Sequence, residues 1–307
     1  MDNGERTMST PFKISVPRSA YLRLIEHQKR IKLRPYHPDL PLVLFITFTR
    51  IASGLSLVSV FFPASMVRTG VALACMSLGT VASIAHLNVP LRFLTMVRNS
   101  RSFLVWEIRL AGALTTFLGL QFLSFLGYLQ RFQAFFPWIN FGLALLFLVS
   151  TGWAYRFETH PAWKTSILPV YYVVSACVMG LVLRAMYHPF VALPLIYALL
   201  LAAEAFVLLL YRNHLRTTSP TALQDLLTGS EKRVLLAFLW SAFLLPALLT
   251  LILLLQGYHE ALNVVMAISC ATGILLERVL FFRVERPIFF LSFIENTNGK
   301  DRYWIRG

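Results

Sequence analysis

His86 and Glu107 are the residues whose types and positions best suit chemistry. The segment IAHLNVPLRFLTMVRNSRSFLVWEI, residues 84–108, separates two apolar stretches, so that the histidine ends one stretch and the glutamate begins the next. An imidazole can hydrogen-bond a quinone oxygen, and a carboxylate can accept or donate the accompanying proton. Arg92, six residues after His86, can hold Glu107 ionised or orient a bound ring.

The composition indicates what kind of protein has to position these residues. Apolar residues make up 57% of the 307 residues, charged residues make up only 14%, and the mean hydropathy is +0.65. Such values are typical of integral membrane proteins. The N-terminal 39 residues contain no short apolar core followed by small residues, so we expect no cleaved signal peptide there.

Eight apolar stretches are each long enough, at about 20 residues, to cross a bilayer as an α-helix. The connections between them are short, which predicts an all-α bundle of eight antiparallel transmembrane helices without a soluble domain. An N-terminal arm (1–39) and a polar C-terminal tail (286–307) flank the predicted membrane domain (40–285). The predicted spans are 40–62, 67–87, 104–126, 136–154, 167–187, 190–211, 233–255 and 261–282.

Basic residues are distributed unequally between the two ends of these spans. Of the 28 lysines and arginines, 22 lie in the tails and connections on one side, whereas the other side has only Arg68, Arg131 and Arg184. The positive-inside rule predicts an inner-membrane protein with both termini in the cytoplasm. The same charges can act as a topology signal, contact anionic lipid or dock an acidic subunit. Their spread along the membrane edges does not favour nucleic-acid binding.

Several ionisable residues fall inside the predicted spans, where each is costly unless it is paired or hydrated. Arg50 lies halfway along the first span, and we expect it to face a polar cavity or a carboxylate. Glu204, well inside the sixth span, can be its structural partner or a step in a proton relay. Glu277 and Arg278 are neighbours on the last span, so we expect one side chain to face inward and the other to reach the basic side.

The residues do not favour a redox cofactor fixed to this chain. The seven histidines supply no pair of axial ligands on facing spans, which argues against haem. Cys75, Cys177 and Cys270 lie singly in three spans, which argues against an iron–sulfur cluster. Metal-site, nucleotide-binding and hydrolase motifs are also missing, so no catalytic residue is predicted and any redox role requires a diffusible cofactor.

The residues alone leave alternatives open. His86 can be an interfacial histidine bonded to a carbonyl, and Glu107 can be a carboxylate favoured by its position at a helix N-terminus. A small-molecule transporter is the alternative function. Transporters often carry helices broken at matching places in two halves. Here Pro246 is the proline that falls away from the span ends, and no matching half-repeat is visible.

Four segments resemble the membrane-anchor subunits of DMSO reductase-type molybdoenzymes, a family that includes the anchors of sulfite-oxidising complexes. They are LPLVLFITFTRIASG in the first span, HLNVPLRFL ending the second, WEI opening the third and TGILLERVLFF in the last. The family pattern His-Leu-Gly-x-Pro-x-Arg reappears at residues 86–92, and its Glu-Ile reappears at 107–108. The resemblance extends over most of residues 40–285.

This resemblance implies an eight-helix anchor without haem or an iron–sulfur cluster of its own. Such an anchor binds menaquinol or ubiquinol and holds an iron–sulfur electron-transfer subunit and a molybdopterin catalytic subunit at one membrane face. It implies that His86 and Glu107 bind the quinone, with Arg92 beside them. Arg50 stands where the family has a neutral polar residue, so this position is expected to alter the charge of the quinone pocket.

Two further departures from the family concern backbone geometry and a proton relay. Asn88 replaces the family's glycine after the histidine, although asparagine tolerates a left-handed backbone better than most residues. In the last span the family's arginine is kept as Arg278, whereas its glutamate position holds Ile274. The candidate relay residues of this chain are therefore Glu204, Glu277 and Arg278.

Overall fold

The computed structural model describes residues 40–86, 103–156, 162–186, 193–229 and 231–284, and the regular elements in these ranges are all helical. Eight helical segments are long and apolar enough to cross a membrane, which confirms the predicted all-α fold. The helices are α1 (Leu40–Val58), α2 (Met66–His86), α3 (Phe103–Phe125), α4 (Phe136–Ala154), α5 (Ile167–Ala185), α6 (Leu193–Thr218), α7 (Pro220–Thr228), α8 (Lys232–Leu239), α9 (Leu245–Gln256) and α10 (Glu260–Val284).

The observed helices follow the predicted spans closely, except at the basic end of the sixth. There α6 continues to Thr218, and the short helix α7 follows after a single residue, so most of the stretch predicted as a connection over 212–232 is helical. The prediction was wrong here because it followed hydropathy alone. A helix can extend beyond the hydrocarbon when its last turns carry side chains such as Arg212 and Arg216, which are exposed.

Helix α1 is the most deeply buried of the eight spans and packs against α2, α4, α5 and α10. Its close approach to α5 depends on two glycines. A Cβ atom added to Gly180 would overlap the backbone carbonyl of Gly54, and one added to Gly54 would overlap the carbonyl of Ala176. Small residues allow this backbone contact between membrane helices. The contact sets the position of α1 along α5 close to the charged residues on these helices.

The seventh span consists of α8, a π-helical turn at Trp240–Leu244, and α9. Pro246 explains the turn, because it has no N–H to continue the α-helical ladder. Instead, the N–H of Leu245 donates to the carbonyl of Trp240, five residues back. The carbonyl of Ser241 then accepts a hydrogen bond of 2.7 Å from the Ser269 hydroxyl on α10. The irregular turn thereby attaches the seventh span to the eighth.

Candidate functional site

Glu107 lies in the second turn of α3 and is almost completely buried. Its Oε1 atom accepts a hydrogen bond of 2.9 Å from the Thr151 hydroxyl, which lies in the last turn of α4. A second bond joins the same ends of the helices, as the Ser150 hydroxyl donates to the Phe103 carbonyl at 3.3 Å. The carboxylate is thus held about 6 Å inside the end of α3 at which the basic connections begin.

His86 is the last residue of α2, and α2 packs against α3. Because the two helices are antiparallel neighbours, the end of α2 and the beginning of α3 lie at the same end of the bundle. The His86 side chain and Arg92 lie outside the described residues, as do residues 87–102. The contact of His86 or Arg92 with Glu107 therefore stays a prediction.

An aromatic cluster lies on the same side of the bundle as Glu107. Trp163 stacks on Phe281 with the ring centroids 4.7 Å apart, and Tyr155 meets both rings edge to face at 5.9 and 5.6 Å. Tyr155 also lies close enough to Glu107 to interact with it electrostatically. Flat apolar walls beside one polar group suit a planar ring with a carbonyl or hydroxyl substituent. Sequence reasoning missed these residues, whose only signal was the aromatic content of a short connection and of the last span.

Arg50, Glu277 and Arg278 form a buried ion cluster between α1 and α10. The Arg50 Nη1 atom donates to the Glu277 Oε2 atom at 3.2 Å, and Arg278 Nε donates to the same oxygen at 2.5 Å. A second bond joins Arg278 Nη2 to Glu277 Oε1. Both guanidinium groups are essentially inaccessible to solvent, at 1% exposure for Arg50 and 0% for Arg278. One carboxylate therefore serves two arginines in the interior of the bundle.

This cluster corrects two of the sequence predictions. Arg50 does face a carboxylate, but its ion pair is with Glu277 rather than with Glu204. The expected divergence of Glu277 and Arg278 is also wrong, since both side chains are buried and they bond each other. Adjacent residues do not face each other across a helix surface in water. Inside a membrane bundle bulk water is excluded, so the long arginine side chain turns back to the nearest carboxylate.

Two adjacent tyrosines of α5 surround the cluster. The Tyr172 hydroxyl accepts a hydrogen bond from Arg278 Nη1, and the Tyr172 ring lies 4.4 Å from the Arg50 guanidinium carbon. The Tyr171 ring lies 5.5 Å from the same carbon. Stacking on aromatic faces stabilises buried guanidinium groups. Sequence reasoning missed both tyrosines, because their only signal was a polar pair in an otherwise apolar span.

Glu204 belongs to the same polar interior but lies on its far side. It is buried on α6, it lines a small cavity together with Tyr171, and it interacts electrostatically with Arg50. Tyr172 in turn interacts electrostatically with Glu107. The candidate relay residues and Glu107 are therefore parts of one buried polar region, a grouping that the separate spans did not reveal.

Comparison with known proteins agrees with this architecture. A search of curated proteins finds no match to the chain. A family model, described as DMSO reductase anchor subunit (DmsC), matches residues 36–284, which include all eight spans, Glu107 and the buried ion cluster. The chain therefore belongs to the family of DMSO reductase anchor subunits and is a multi-pass membrane protein that anchors a complex of the DMSO reductase type.

Proposed function

We propose that this protein is the quinone-interacting anchor of its complex. It exchanges electrons between a membrane quinone, either menaquinone or ubiquinone, and an iron–sulfur subunit that connects it to a molybdopterin catalytic subunit. Glu107 is the main support for this proposal. Burying a carboxylate beside an aromatic wall near the end of a membrane bundle is energetically costly, so such a residue is by default a candidate for a functional role. Family membership favours this role over transport of a small molecule.

The residues present fit a quinone ring. Glu107 can accept or donate a proton at its carboxylate, Thr151 orients that group, and Tyr155 and Trp163 offer aromatic faces for stacking. His86, at the adjacent end of α2, supplies the second hydrogen-bonding group. When bound, the quinone supplies the two-electron chemistry that these side chains lack. Arg92 and Arg50, the other predicted quinone ligands, act on the bound quinone through their positive charge.

The distribution of basic residues supports a common face for the quinone site and the partner subunits. Glu107 and the end of α2 lie on the strongly basic side, where both predicted tails also begin. By the positive-inside rule this face is cytoplasmic. An acidic iron–sulfur subunit docked there would lie next to the quinone site, which keeps the distance for electron transfer short.

Binding of a fluorescent quinol-analogue inhibitor to membranes that contain the whole complex tests this function. We expect His86→Ala and Glu107→Gln to weaken binding by about tenfold or more, since a hydrogen bond to a charged group contributes about 1.5 to 3 kcal/mol. His259→Ala and Glu260→Gln are matched controls, because both residues are exposed at the other end of the bundle. Unchanged binding in both site variants, with the partner subunits still attached, would refute the proposal.

Thr151→Val tests the orienting hydrogen bond separately. Valine has the shape of threonine but cannot donate to Glu107, so we expect the inhibitor affinity to fall by several-fold, less than in Glu107→Gln. Thr116→Val is the control, because the Thr116 hydroxyl is exposed and bonds the carbonyl of Gly112 in its own helix. Equal affinities in the two threonine variants would show that Thr151 does not position the carboxylate.

A further inference from the structure

A line of buried polar side chains leads inward from Glu107. Glu107 interacts electrostatically with Tyr172, whose hydroxyl accepts a hydrogen bond from Arg278. Arg278 bonds Glu277, and Glu277 bonds Arg50 at 3.2 Å. From the basic ends of their helices, Glu107 lies about 6 Å deep, Glu277 about 10 Å and Arg50 about 15 Å. This first half of the line, from Glu107 to Arg50, therefore reaches the middle of the membrane.

The second half of the line continues from the middle of the membrane towards the opposite face. Glu204, Tyr171 and Cys270 line one small cavity, and the Tyr171 ring lies 5.5 Å from the guanidinium carbon of Arg50. The Cys270 sulfur lies 3.2 Å from the Tyr197 hydroxyl, and Tyr197 itself is about 6 Å along α6 from the helix end at that face. Asn263 is fully buried at a similar depth in α10. Taken together, the two halves place polar groups at successive depths through the whole bundle.

Several atoms along this line have hydrogen-bonding capacity that no group in the described part of the chain uses. They are Nε and Nη2 of Arg50, the Ser53 hydroxyl and both amide atoms of Asn263. Buried polar atoms of this kind are normally satisfied by internal water. A cavity of about 10 Å³, lined by Tyr171, Ser175, Glu204 and other residues, is the size of one water molecule. The line can therefore be hydrated, as a path for protons requires.

The ionisable side chains of the line have no net charge when one of their carboxylates is protonated. Its ionisable members include two arginines, Arg50 and Arg278, and three carboxylates, Glu107, Glu204 and Glu277. With every carboxylate ionised these groups carry one net negative charge, and one added proton makes them neutral. Because a net charge inside a membrane bundle is costly, the neutral state is favoured. Glu277 forms ion pairs with both arginines, so we assign the added proton to Glu204 or Glu107.

We propose that this line conducts protons between the Glu107 end and the opposite membrane face, with Glu204 holding the proton in transit. The proposal rests on the proposed function, and it adds proton transfer across the membrane to quinone turnover. Reduction of one quinone consumes two electrons, which arrive from the partner's iron–sulfur subunit, and two protons. Glu107 donates protons at the quinone site and is reprotonated from Glu204, which takes up its proton from the far face through the Cys270–Tyr197 end of the line.

The test uses the whole complex in liposomes, oriented with the partner subunits outside. Reduced benzyl viologen donates electrons to the partner subunits, a short-chain ubiquinone accepts them, and a trapped dye reports the pH of the lumen. We expect quinone reduction by the wild type to make the lumen alkaline, and a protonophore to abolish the change. In Glu204→Gln we expect Glu107, about 6 Å from the basic end of its helix, to take its protons from the outer solution instead, so that quinone reduction continues while the lumenal change per quinone is lost. Glu260→Gln, at an exposed position, should behave like the wild type.

Tyr197→Phe is a second variant, because it removes only the hydroxyl near Cys270, and we expect the same loss. A readout independent of turnover is the infrared carbonyl band of a protonated carboxyl group in the complex, which should disappear in Glu204→Gln. Equal lumenal change per quinone in the wild type and both variants, or a wild type without any lumenal change, would overturn the inference. Absence of quinone reduction in the wild type would overturn the proposed function itself, and this inference with it.

Discussion

Glu277→Gln is expected to prevent most of the protein from accumulating in a folded state. The substitution removes the negative charge between Arg50 and Arg278, so that two guanidinium groups remain buried without an ionic partner. Breaking a buried ion pair in this way costs about 3 to 5 kcal/mol. That loss is a large part of the roughly 5 to 15 kcal/mol by which proteins are stable. The yield of monodisperse protein in detergent and its thermal unfolding temperature measure the effect.

Glu231→Gln is the matched control for this experiment. Glu231 also forms an ion pair of 3.2 Å, with Arg283, but the Arg283 side chain is 33% exposed and that of Glu231 is 18% exposed. Solvent screening limits the contribution of such pairs to about 1 kcal/mol or less. We therefore expect near-normal yield and unfolding temperature for Glu231→Gln. If the two variants unfold at the same temperature, the cluster around Glu277 does not stabilise the fold as argued.

Gly180→Ala is expected to destabilise the bundle by about 1 to 3 kcal/mol, the usual cost of inserting a methyl group into a closely packed contact. The added Cβ would overlap the Gly54 carbonyl, so α1 and α5 would have to move apart. These helices carry Arg50 and Tyr172, so the variant should also disturb the cation–π contact between them. The measurement is the thermal unfolding temperature of the purified protein, which we expect to fall.

Gly142→Ala provides the comparison of the same substitution without the steric conflict. A Cβ added at Gly142 meets no atom within 4 Å, and alanine favours a helix over glycine by up to about 1 kcal/mol. The unfolding temperature of this variant should equal or exceed that of the wild type. An unfolding temperature for Gly180→Ala as high as that of Gly142→Ala would mean that the α1–α5 contact can open without cost.

The fold was predictable from the sequence to a large extent, because bilayer thickness ties hydropathy to helix length. The segments LPLVLFITFTRIASG, HLNVPLRFL, WEI and TGILLERVLFF together indicated the family that the comparison confirms. The π-helical turn before Pro246 was not predictable in the same way. A proline inside a span indicates an irregularity, but the bond from Ser269 that satisfies the freed carbonyl depends on how two helices pack.

The polar site was predictable in part. The cost of an isolated charge in hydrocarbon predicted that Arg50 faces either a polar cavity or a carboxylate, but it did not identify which carboxylate. Choosing Glu277 over Glu204 requires the rotation of α1 relative to α10, and span composition does not contain that information. The bond between Glu277 and Arg278 was mispredicted because the spacing rule describes helix surfaces in water. The pairing of His86 and Arg92 with Glu107 remains a prediction.

The sequence separation of the ion pair between α1 and α10 has a consequence for biosynthesis. Arg50 and Glu277 are 227 residues apart, and a ribosome adds about 5 to 20 residues per second. Arg50 is therefore added to the chain roughly 11 to 45 s before Glu277. During that interval water, lipid headgroups or the insertion machinery must accommodate the Arg50 guanidinium. The most deeply buried span of the finished bundle is thus one of the last to reach its final environment.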